Sequence, residues 1–312
     1  GDVHAKEVTS ITAEKFVNMY NNKENFMFVV SSNTCTCWMS FRPIIEKYIT
    51  QNKLICYQID YESFKAFAPT YNLNVGSGTT TFAIFENGEV KYTLVTGKNP
   101  EMDDEELFFK FLDATIKKPK AFFINEEDYN NIRNSDKASV VYFERSGCGD
   151  CAYINSNMLR NYISNHYETM NDLYVLDCEP YYRKKDAPDY QSYLDKKDEL
   201  GLSTKNNPEY GFDGGYFPHF NYIENKQYKS GAVVFNDTLT LEGENQYKVT
   251  NTYYTTERVS KLEYTNTVIE GKIVNASQAP GGYWSQADAS KVYEPILTSF
   301  LDYALPKNTY KF

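Results

Sequence analysis

The sequence predicts an α/β protein built from two tandem domains, each with a central mixed β-sheet flanked by helices. Three observations support this fold class. Residues 11–35 and 124–148 align without a gap, which indicates an internal repeat. In each copy, stretches of helical periodicity alternate with short runs rich in Val and aromatic residues. The length of 312 residues suits two domains.

Composition narrows the classes of function. The formal net charge of −10 argues against electrostatic binding to nucleic acid or to anionic lipid. A mean hydropathy of −0.58, with no long apolar run, predicts no transmembrane segment. The chain begins at Gly1 with neither an initiator Met nor an apolar leader, as expected after removal of an export signal. We therefore expect an extracytoplasmic protein, either exported or attached to the cell envelope.

The first copy predicts a complete order of elements. A short amphipathic helix carrying Phe16 precedes the apolar strand FMFVV, and a longer helix follows the cysteines. Residues 54–60 form the next strand, and the order strand, helix, strand predicts a parallel pair. Asn87-Gly88 between two apolar runs predicts a type I′ hairpin. A last helix with acidic residues in its first turn leads to the Lys-rich linker at 117–120, so we place the first domain at residues 1–118.

The second copy, residues 119–312, repeats this order and adds two insertions. The first, at about 180–215, is polar, with helical stretches and several turn residues. The second, at about 236–274, is rich in Tyr, Thr and Val and alternates roughly, which predicts added antiparallel strands. These strands either cover the sheet edge or form a binding surface. A closing helix near 292–305, starting at about Pro295, should end the chain.

Four of the six cysteines form two close pairs at equivalent places in the repeat. The motif CTCW contains Cys35 and Cys37, and the motif CGDC contains Cys148 and Cys151. Each pair follows a predicted strand and precedes a predicted helix. A cysteine at a helix N-terminus faces unpaired backbone N–H groups and the positive end of the helix dipole. Both favour the thiolate, which is the nucleophilic form.

This arrangement resembles the thioredoxin and protein disulfide isomerase superfamily. The similarity covers most of residues 5–118 and 120–235, together with the last helix, and leaves the two insertions outside. CGDC looks like the redox motif of that family, and YFPHFNYIENKQY looks like the segment that carries its cis-proline, here Pro218. Pro43 matches the proline that kinks the first long helix. The resemblance implies two tandem thioredoxin-like domains, with Phe217 and Pro218 in contact with substrate.

The resemblance also implies a role for each thiol of the second pair. Cys148 would attack a substrate disulfide, and Cys151, one turn into the helix and more buried, would resolve the mixed disulfide. Asp150 lies between them and opposes the thiolate by like charge. We therefore expect Cys148 to be less acidic, and the pair more reducing, than with a neutral residue at position 150. The chemistry needs no metal and no organic cofactor.

The sequence departs from the family pattern in both copies. The family often buries an acid in the strand before the motif, and the matching positions here are Tyr142 and, in the first copy, Val29. In the first copy Trp38 takes the place of the second motif cysteine, and Thr80 takes the place of the cis-proline. A disulfide between cysteines one residue apart is strained and easily reduced, so the first domain is either an oxidant or has lost catalysis.

Interpretations without redox chemistry also stay open for the cysteines. Cys148 and Cys151 also fit a static disulfide, and the two pairs together fit a four-cysteine zinc site, although Cys-x-Cys is not the usual zinc spacing. Cys56, in the middle of a strand, is expected to be a buried apolar thiol. Cys178 ends a parallel strand and should share the sheet edge of the CGDC motif, but a structural role is favoured. His219 directly follows Pro218, where a histidine can tune the site, but the favoured interpretation is an exposed residue at a strand end.

Two functions from different classes follow. The first is a thiol–disulfide oxidoreductase or isomerase with Cys148, Cys151, Cys35 and Cys37 as candidate catalytic residues. Its partners would be proteins that carry disulfides or dithiols, and an unidentified redox partner. The second is a non-catalytic binding scaffold on the same fold, in which the insertions contact a partner and the thiols are vestigial. The missing buried acid and the CTCW motif favour the second function, whereas CGDC with its downstream Phe-Pro segment favours the first.

Overall fold

The computed structural model describes residues 1–212, 214–234, 237–243, 246–254, 259–269, 272–273 and 286–312. Side chains are described for residues 1–212, 214–234, 290 and 293–312, and the backbone alone for the rest of these ranges. The chain forms two units, Gly1–Phe122 and Phe123–Phe312. The boundary expected at residue 118 lies shortly before the division between them.

The sheet of the first unit has five strands: β1 Thr9–Ser10, β2 Phe26–Ser31, β3 Cys56–Asp60, β4 Thr81–Glu86 and β5 Glu89–Val95. Their order across the sheet is β1-β3-β2-β4-β5. The first three of these are parallel, whereas β4 runs antiparallel to β2 and β5 antiparallel to β4. Asn87 and Gly88 join β4 to β5 with φ angles of 54° and 78°, which is the backbone conformation that the predicted type I′ hairpin requires.

Four helices accompany this sheet: α1 Ala13–Asn21, α2 Thr36–Asn52, α3 Tyr61–Phe64 and α4 Glu105–Thr115. The side chains of Thr12, Asp60 and Asp104 accept backbone N–H groups at the starts of α1, α3 and α4. These caps supply partners for donors that a helix end leaves unbonded. Pro43 lies inside α2, where the family resemblance places it.

Apolar side chains cover both faces of the first sheet. One face carries a cluster of aromatic rings: Phe16, Phe28, Phe64 and Phe85. On the other face Phe41, Phe82 and Phe108 meet edge to face. Because successive side chains of β2 point to opposite faces and all of them are buried, β2 contributes to both clusters. The continuous apolar run FMFVV is therefore the signature of a central strand.

The second sheet, whose first strand spans the division between the units, also has five strands: β6 Ala121–Ile124, β7 Ala138–Glu144, β8 Leu173–Asp177, β9 His219–Glu224 and β10 Gln227–Val233. Their order is β10-β9-β7-β8-β6, which matches the first sheet strand for strand. β7 and β8 are parallel, β9 is antiparallel to β7, and β10 is antiparallel to β9. The predicted α/β class with two mixed sheets is therefore confirmed.

The helices of the second unit depart from the expectation in two places. They are α5 Glu126–Arg133, α6 Gly149–Ser156, α7 Met158–His166, α8 Tyr190–Glu199 and α9 Gln286–Ala304. The helix expected after the second cysteine pair is broken at Asn157, whose ψ of −81° is not helical. The expected start of the last helix near Pro295 is wrong, since Pro295 lies inside α9. The helix continues through the proline because buried Leu297 and Leu301 hold it in the core.

The described parts of both insertions contain regular structure. Within 180–215 the chain forms α8 and a series of turns. Within 236–274 it forms four strands: β11 Asp237–Gly243, β12 Gln246–Tyr254, β13 Val259–Ile269 and β14 Lys272–Ile273. These pair in sequence order as a separate antiparallel sheet, as the alternation predicts. Among the described residues, no helix combines the length and the apolar character that crossing a membrane requires.

Candidate active site

Cys148 lies at the N-terminus of α6, where the chain leaves the sheet. β7 ends at Glu144, and residues 145–147 lead to Cys148, whose extended backbone (φ −92°, ψ 118°) makes it the N-cap. The sulfur of Cys148 accepts the backbone N–H of Cys151 at 3.3 Å. Cys148 is half-buried, whereas Cys151 is only 1% exposed. The fold thus brings the two thiols together and leaves the first of them open to solvent.

The two thiols differ in acidity. The side-chain hydrogen bond from Cys151 is the largest cause that lowers the pKa of Cys148, to about 7 from an ordinary 9.0. Backbone N–H groups of Cys151 and Asp150 add to this effect, whereas burial and the Asp150 carboxylate oppose it. The same hydrogen bond and then burial raise the pKa of Cys151. The lowered pKa of Cys148 favours its thiolate near neutral pH, whereas the raised pKa of Cys151 keeps it a thiol.

Two carboxylates hold the loop that precedes Cys148: Asp177, the last residue of β8, and Glu179, two residues later. We call them the acidic clamp. Glu179 accepts the backbone N–H of Gly147 at 2.9 Å and pairs with the Arg145 guanidinium at 3.1 Å. Asp177 accepts the backbone N–H of Ser146 at 3.2 Å, and also its hydroxyl. The acidic clamp was not predicted from the sequence. The signal was the parallel β7–β8 pair, because the carboxyl ends of parallel strands meet at one edge of a sheet.

A buried carboxylate does lie beside the second pair, at Glu144 rather than at Tyr142. Glu144 is 7% exposed and accepts the side-chain amide of Asn155, which lies one turn after Cys151 in α6. Its charge contributes to the raised pKa of Cys151. The expectation of a missing acid is therefore wrong for the second unit. The sequence comparison matched the buried acid to Tyr142 alone. Glu144 lies two residues further along β7, and residues two apart in a strand face the same side of the sheet.

The segment before β9 lies at the same sheet edge. The peptide bond between Phe217 and Pro218 is cis. His219 pairs with Phe143 of β7, so Pro218 lies level with the end of β7, where the loop to Cys148 begins. Pro218 is buried and Phe217 is half-buried. Contact of these two residues with substrate stays a prediction.

His219 is buried, so the expectation of an exposed strand-end residue is wrong. Its Nε2 makes a 2.9 Å hydrogen bond with Oδ1 of Asn221, and its ring meets Phe143 edge-on. Burial lowers the pKa of His219 to about 4, so the ring is neutral near pH 7. Because side chains alternate along β7, His219 shares the face of Phe143, opposite to that of Tyr142 and Glu144. The imidazole therefore lies away from α6.

The two single cysteines are enclosed. Cys178 is 1% exposed, and its backbone N–H donates to the carbonyl of Glu144 at 2.7 Å, which extends the pairing of β7 with β8. Burial is the main cause that raises its pKa. These contacts favour the structural role that the sequence indicated. Cys56 is fully buried in β3, as predicted.

The first unit places Cys35 and Cys37 in a disulfide at the N-terminus of α2. Cys35 is the N-cap, and its sulfur accepts the backbone N–H of Cys37 at 3.2 Å. The hydroxyl oxygen of Thr80 lies 3.4 Å from the sulfur of Cys37, beside the pair, as the family pattern implies for that position. Trp38 is 4% exposed and packs into the core. Across the residues that the structure describes, no three His, Cys, Asp or Glu side chains group as a metal site.

The chain is similar to solved structures of thioredoxins and of ERp44. A mutant thioredoxin from Halobacterium salinarum NRC-1 is 17% identical, covers 38% of this chain and 100% of its own, and gives a TM-score of 0.30. The zinc-bound form of human ERp44 is 12% identical over 70% of this chain, with a TM-score of 0.29, and the match covers 50% of that protein. No protein-family model and no curated protein sequence matches the chain. The thioredoxin-like arrangement of both units is visible in their own strand order and in the cysteines at their helix N-termini.

Proposed function

We propose that this chain is a thiol–disulfide oxidoreductase that acts on proteins through Cys148, with Cys151 as the resolving thiol. The observation that carries the proposal is the asymmetry of this pair. Cys148 caps a helix, is half-buried and has a pKa of about 7, whereas Cys151 is enclosed and has a raised pKa. An accessible thiolate can attack a disulfide, and a second thiol within hydrogen-bond reach can close the ring.

The proposed exchange proceeds in two steps. The thiolate of Cys148 attacks one sulfur of the substrate disulfide, and the other substrate sulfur leaves as a thiolate that takes up a proton. Cys151 then gives up its proton and attacks the sulfur of Cys148, which releases the second substrate thiolate. The substrate gains two electrons, and the Cys148–Cys151 pair becomes a disulfide. The reverse sequence oxidises a substrate dithiol, and resolution by another substrate thiol isomerises its disulfides.

The segment before β9 supports the proposed recognition of an extended polypeptide. The carbonyl of Pro218 accepts the backbone N–H of Val234 at 3.2 Å, so it is already used within the unit. Backbone pairing with a substrate strand would therefore fall to Phe217, at the sheet edge from which the Cys148 loop departs. The substrates would be proteins that carry disulfides or dithiols.

We also propose an extracytoplasmic location and a separate redox partner. Disulfides persist in oxidising compartments, and the Cys35–Cys37 disulfide suits such a place. Fractionation of the native cells, with immunodetection of the protein, tests the location. Recovery of the protein with cytosolic markers alone would contradict it.

The function is tested by trapping in the full chain with Cys35 and Cys37 both changed to Ser. In that background a Cys151→Ser variant should accumulate a covalent adduct with insulin that dithiothreitol releases, because its mixed disulfide cannot be resolved. The matched control is Cys148→Ser, which should form no adduct. Absence of an adduct with Cys151→Ser, in a variant whose circular dichroism is unchanged, would reject the enzyme and leave the binding scaffold.

A further inference from the structure

We infer that the disulfide of the first unit reacts with the opposite polarity: an incoming thiolate attacks Cys37 and expels Cys35. The mixed disulfide of the first unit would then form at the second cysteine of the motif, whereas that of the second unit forms at the first. The inference rests on the proposed function, because it applies the same exchange chemistry to the other pair. The substrates are thiols, either small or carried by proteins, which the pair would oxidise.

Accessibility of the two sulfurs supports this polarity. Cys35 is 8% exposed, whereas Cys37 is half-buried, the reverse of the order seen for Cys148 and Cys151. An incoming thiolate must reach the sulfur that it attacks, and of these two sulfurs Cys37 is the more open.

The cysteines of the first unit have one residue between them, and those of the second unit have two. This difference in spacing explains why the order of exposure is reversed. Cys151 is the third residue of its helix, and Trp38 holds the third position in α2; both side chains are buried. Cys37 is the second residue of α2, the position that half-buried Asp150 takes in α6. One residue is about 100° around a helix, so this shift turns the sulfur of Cys37 away from the core.

Cys35 is the better leaving group. Its sulfur caps a helix of 17 residues and already accepts the backbone N–H of Cys37 at 3.2 Å. When the disulfide breaks, the charge that develops on this sulfur therefore meets a hydrogen-bond donor and the positive end of the helix dipole. A thiol whose thiolate is stabilised leaves faster in exchange.

Thr80 gives Cys37 a donor of its own. A disulfide sulfur carries no proton, so at 3.4 Å the Thr80 hydroxyl donates and the Cys37 sulfur accepts. Thr80 is buried, and its backbone N–H donates a hydrogen bond to the Thr96 hydroxyl at 2.8 Å. This bond holds the Thr80 hydroxyl in place beside Cys37. We assign Thr80 as a positioning residue for the sulfur of Cys37.

The exchange balances without a further reactant. A substrate thiolate bonds to Cys37, the bond between Cys35 and Cys37 breaks, and Cys35 keeps the electron pair as a thiolate. A second substrate thiolate attacks the substrate sulfur of the mixed disulfide and releases Cys37 as a thiolate. Two substrate thiols become one disulfide, the pair becomes a dithiol, and the two substrate protons pass through solvent to Cys35 and Cys37.

The test uses the full chain with Cys148 and Cys151 both changed to Ser. The oxidised protein is mixed with reduced glutathione, quenched with N-ethylmaleimide and mapped by tandem mass spectrometry. We expect glutathione on Cys37 and the maleimide label on Cys35, with the reverse pattern at least about tenfold rarer. Glutathione on Cys35, an equal division, or no adduct at all would each overturn the inference. None of these results affects the insulin trap at Cys148, which uses the other cysteine pair. Failure of this inference can therefore be distinguished from failure of the proposed function.

A substitution at position 80 checks the proposed donor. Thr80→Val keeps the shape of the side chain and removes the hydroxyl, so formation of the Cys37 adduct should slow about fivefold, the size of one hydrogen bond. The adduct should still form on Cys37, because accessibility is unchanged. An unaltered rate would remove Thr80 from the assignment. Thr80→Ser, which restores a hydroxyl, should recover most of the rate.

Discussion

Burial alone does not decide the acidity of the cysteines in this chain. Cys56, in β3, and Cys178, directly after β8, are both enclosed, and the loss of solvation raises the pKa of each thiol. Cys148 is also partly desolvated, yet its pKa falls to about 7 because its sulfur accepts hydrogen bonds from the first turn of α6. Donors at a helix end therefore outweigh the cost of burial at this one residue.

The charge at position 150 provides a direct test at the residue scale. Asp150→Asn keeps the backbone N–H that lowers the pKa of Cys148 and removes the carboxylate that raises it. The pKa should therefore fall below about 7. Since thiolate is the form that alkylates, the iodoacetamide rate should rise with pH around neutrality in both proteins, with its midpoint at lower pH in the variant.

Matched controls make this measurement specific to Cys148. The enclosed thiols with raised pKa, Cys56 and Cys178, should contribute little in this range, and a Cys148→Ser protein measures that background. Asp150→Glu, which restores the carboxylate, should return the midpoint toward the wild-type value. A midpoint for Asp150→Asn at or above that of the wild type would contradict the like-charge argument.

At the scale of elements, the loop before α6 is held by the acidic clamp, whose two carboxylates lie at the end of β8 and just after it. Glu179→Ala removes the acceptor of the Gly147 N–H and the partner of Arg145. Because the site is partly exposed, we expect a loss of about 1–2 kcal/mol in the free energy of unfolding, measured with urea on the reduced protein.

A nearby surface pair is the control for this substitution. Asp189→Ala breaks an exposed ion pair with Arg183 and should change the unfolding free energy much less. Hydrogen exchange at Gly147 should accelerate in Glu179→Ala and not in Asp189→Ala. Equal losses in the two variants would show that the acidic clamp is no more than a surface charge pair.

The elements themselves were largely predictable, and their long-range contacts were not. The continuous apolar run FMFVV, the Asn87-Gly88 turn and the CGDC spacing are local patterns, and each predicted a local structure that the protein has. Burial of Glu144 and His219, by contrast, depends on side chains brought in by other strands and helices. The break at Asn157 also gives no periodic signal, because the apolar stripe continues across it. Sequence reasoning therefore found the cysteine pairs and missed what positions them.

At the scale of the whole molecule, each unit carries its own sheet, cores and cysteine pair in the same strand order. The groups that shift the pKa of Cys148 are Cys151 and Asp150, both within the second unit. Changing Cys35 and Cys37 to Ser together should therefore leave the pH midpoint of Cys148 alkylation unchanged. The measurement is the same iodoacetamide profile, made on the full chain.

A second readout separates the two pairs. In the Cys35/Cys37 double variant, the Cys148 pair should still reduce insulin. The activity that the variant loses should be the oxidation of added thiols by the first pair. A midpoint displaced by the double substitution would show instead that the first pair influences the second, and the local explanation of the acidity of Cys148 would fail.

The hydrogen bond from the Thr80 N–H to the Thr96 hydroxyl limits how mutation could convert the first site into a copy of the second. Proline has no N–H, so Thr80→Pro would take away both this bond and the hydroxyl that faces Cys37. A single codon change at position 80 would therefore not turn the first site into a copy of the second. To reproduce the second site, the first would need changes at several positions: at residues 37 and 38 for the cysteine spacing, at residue 80 for the proline, and at residue 96, whose hydroxyl would lose the N–H that it accepts.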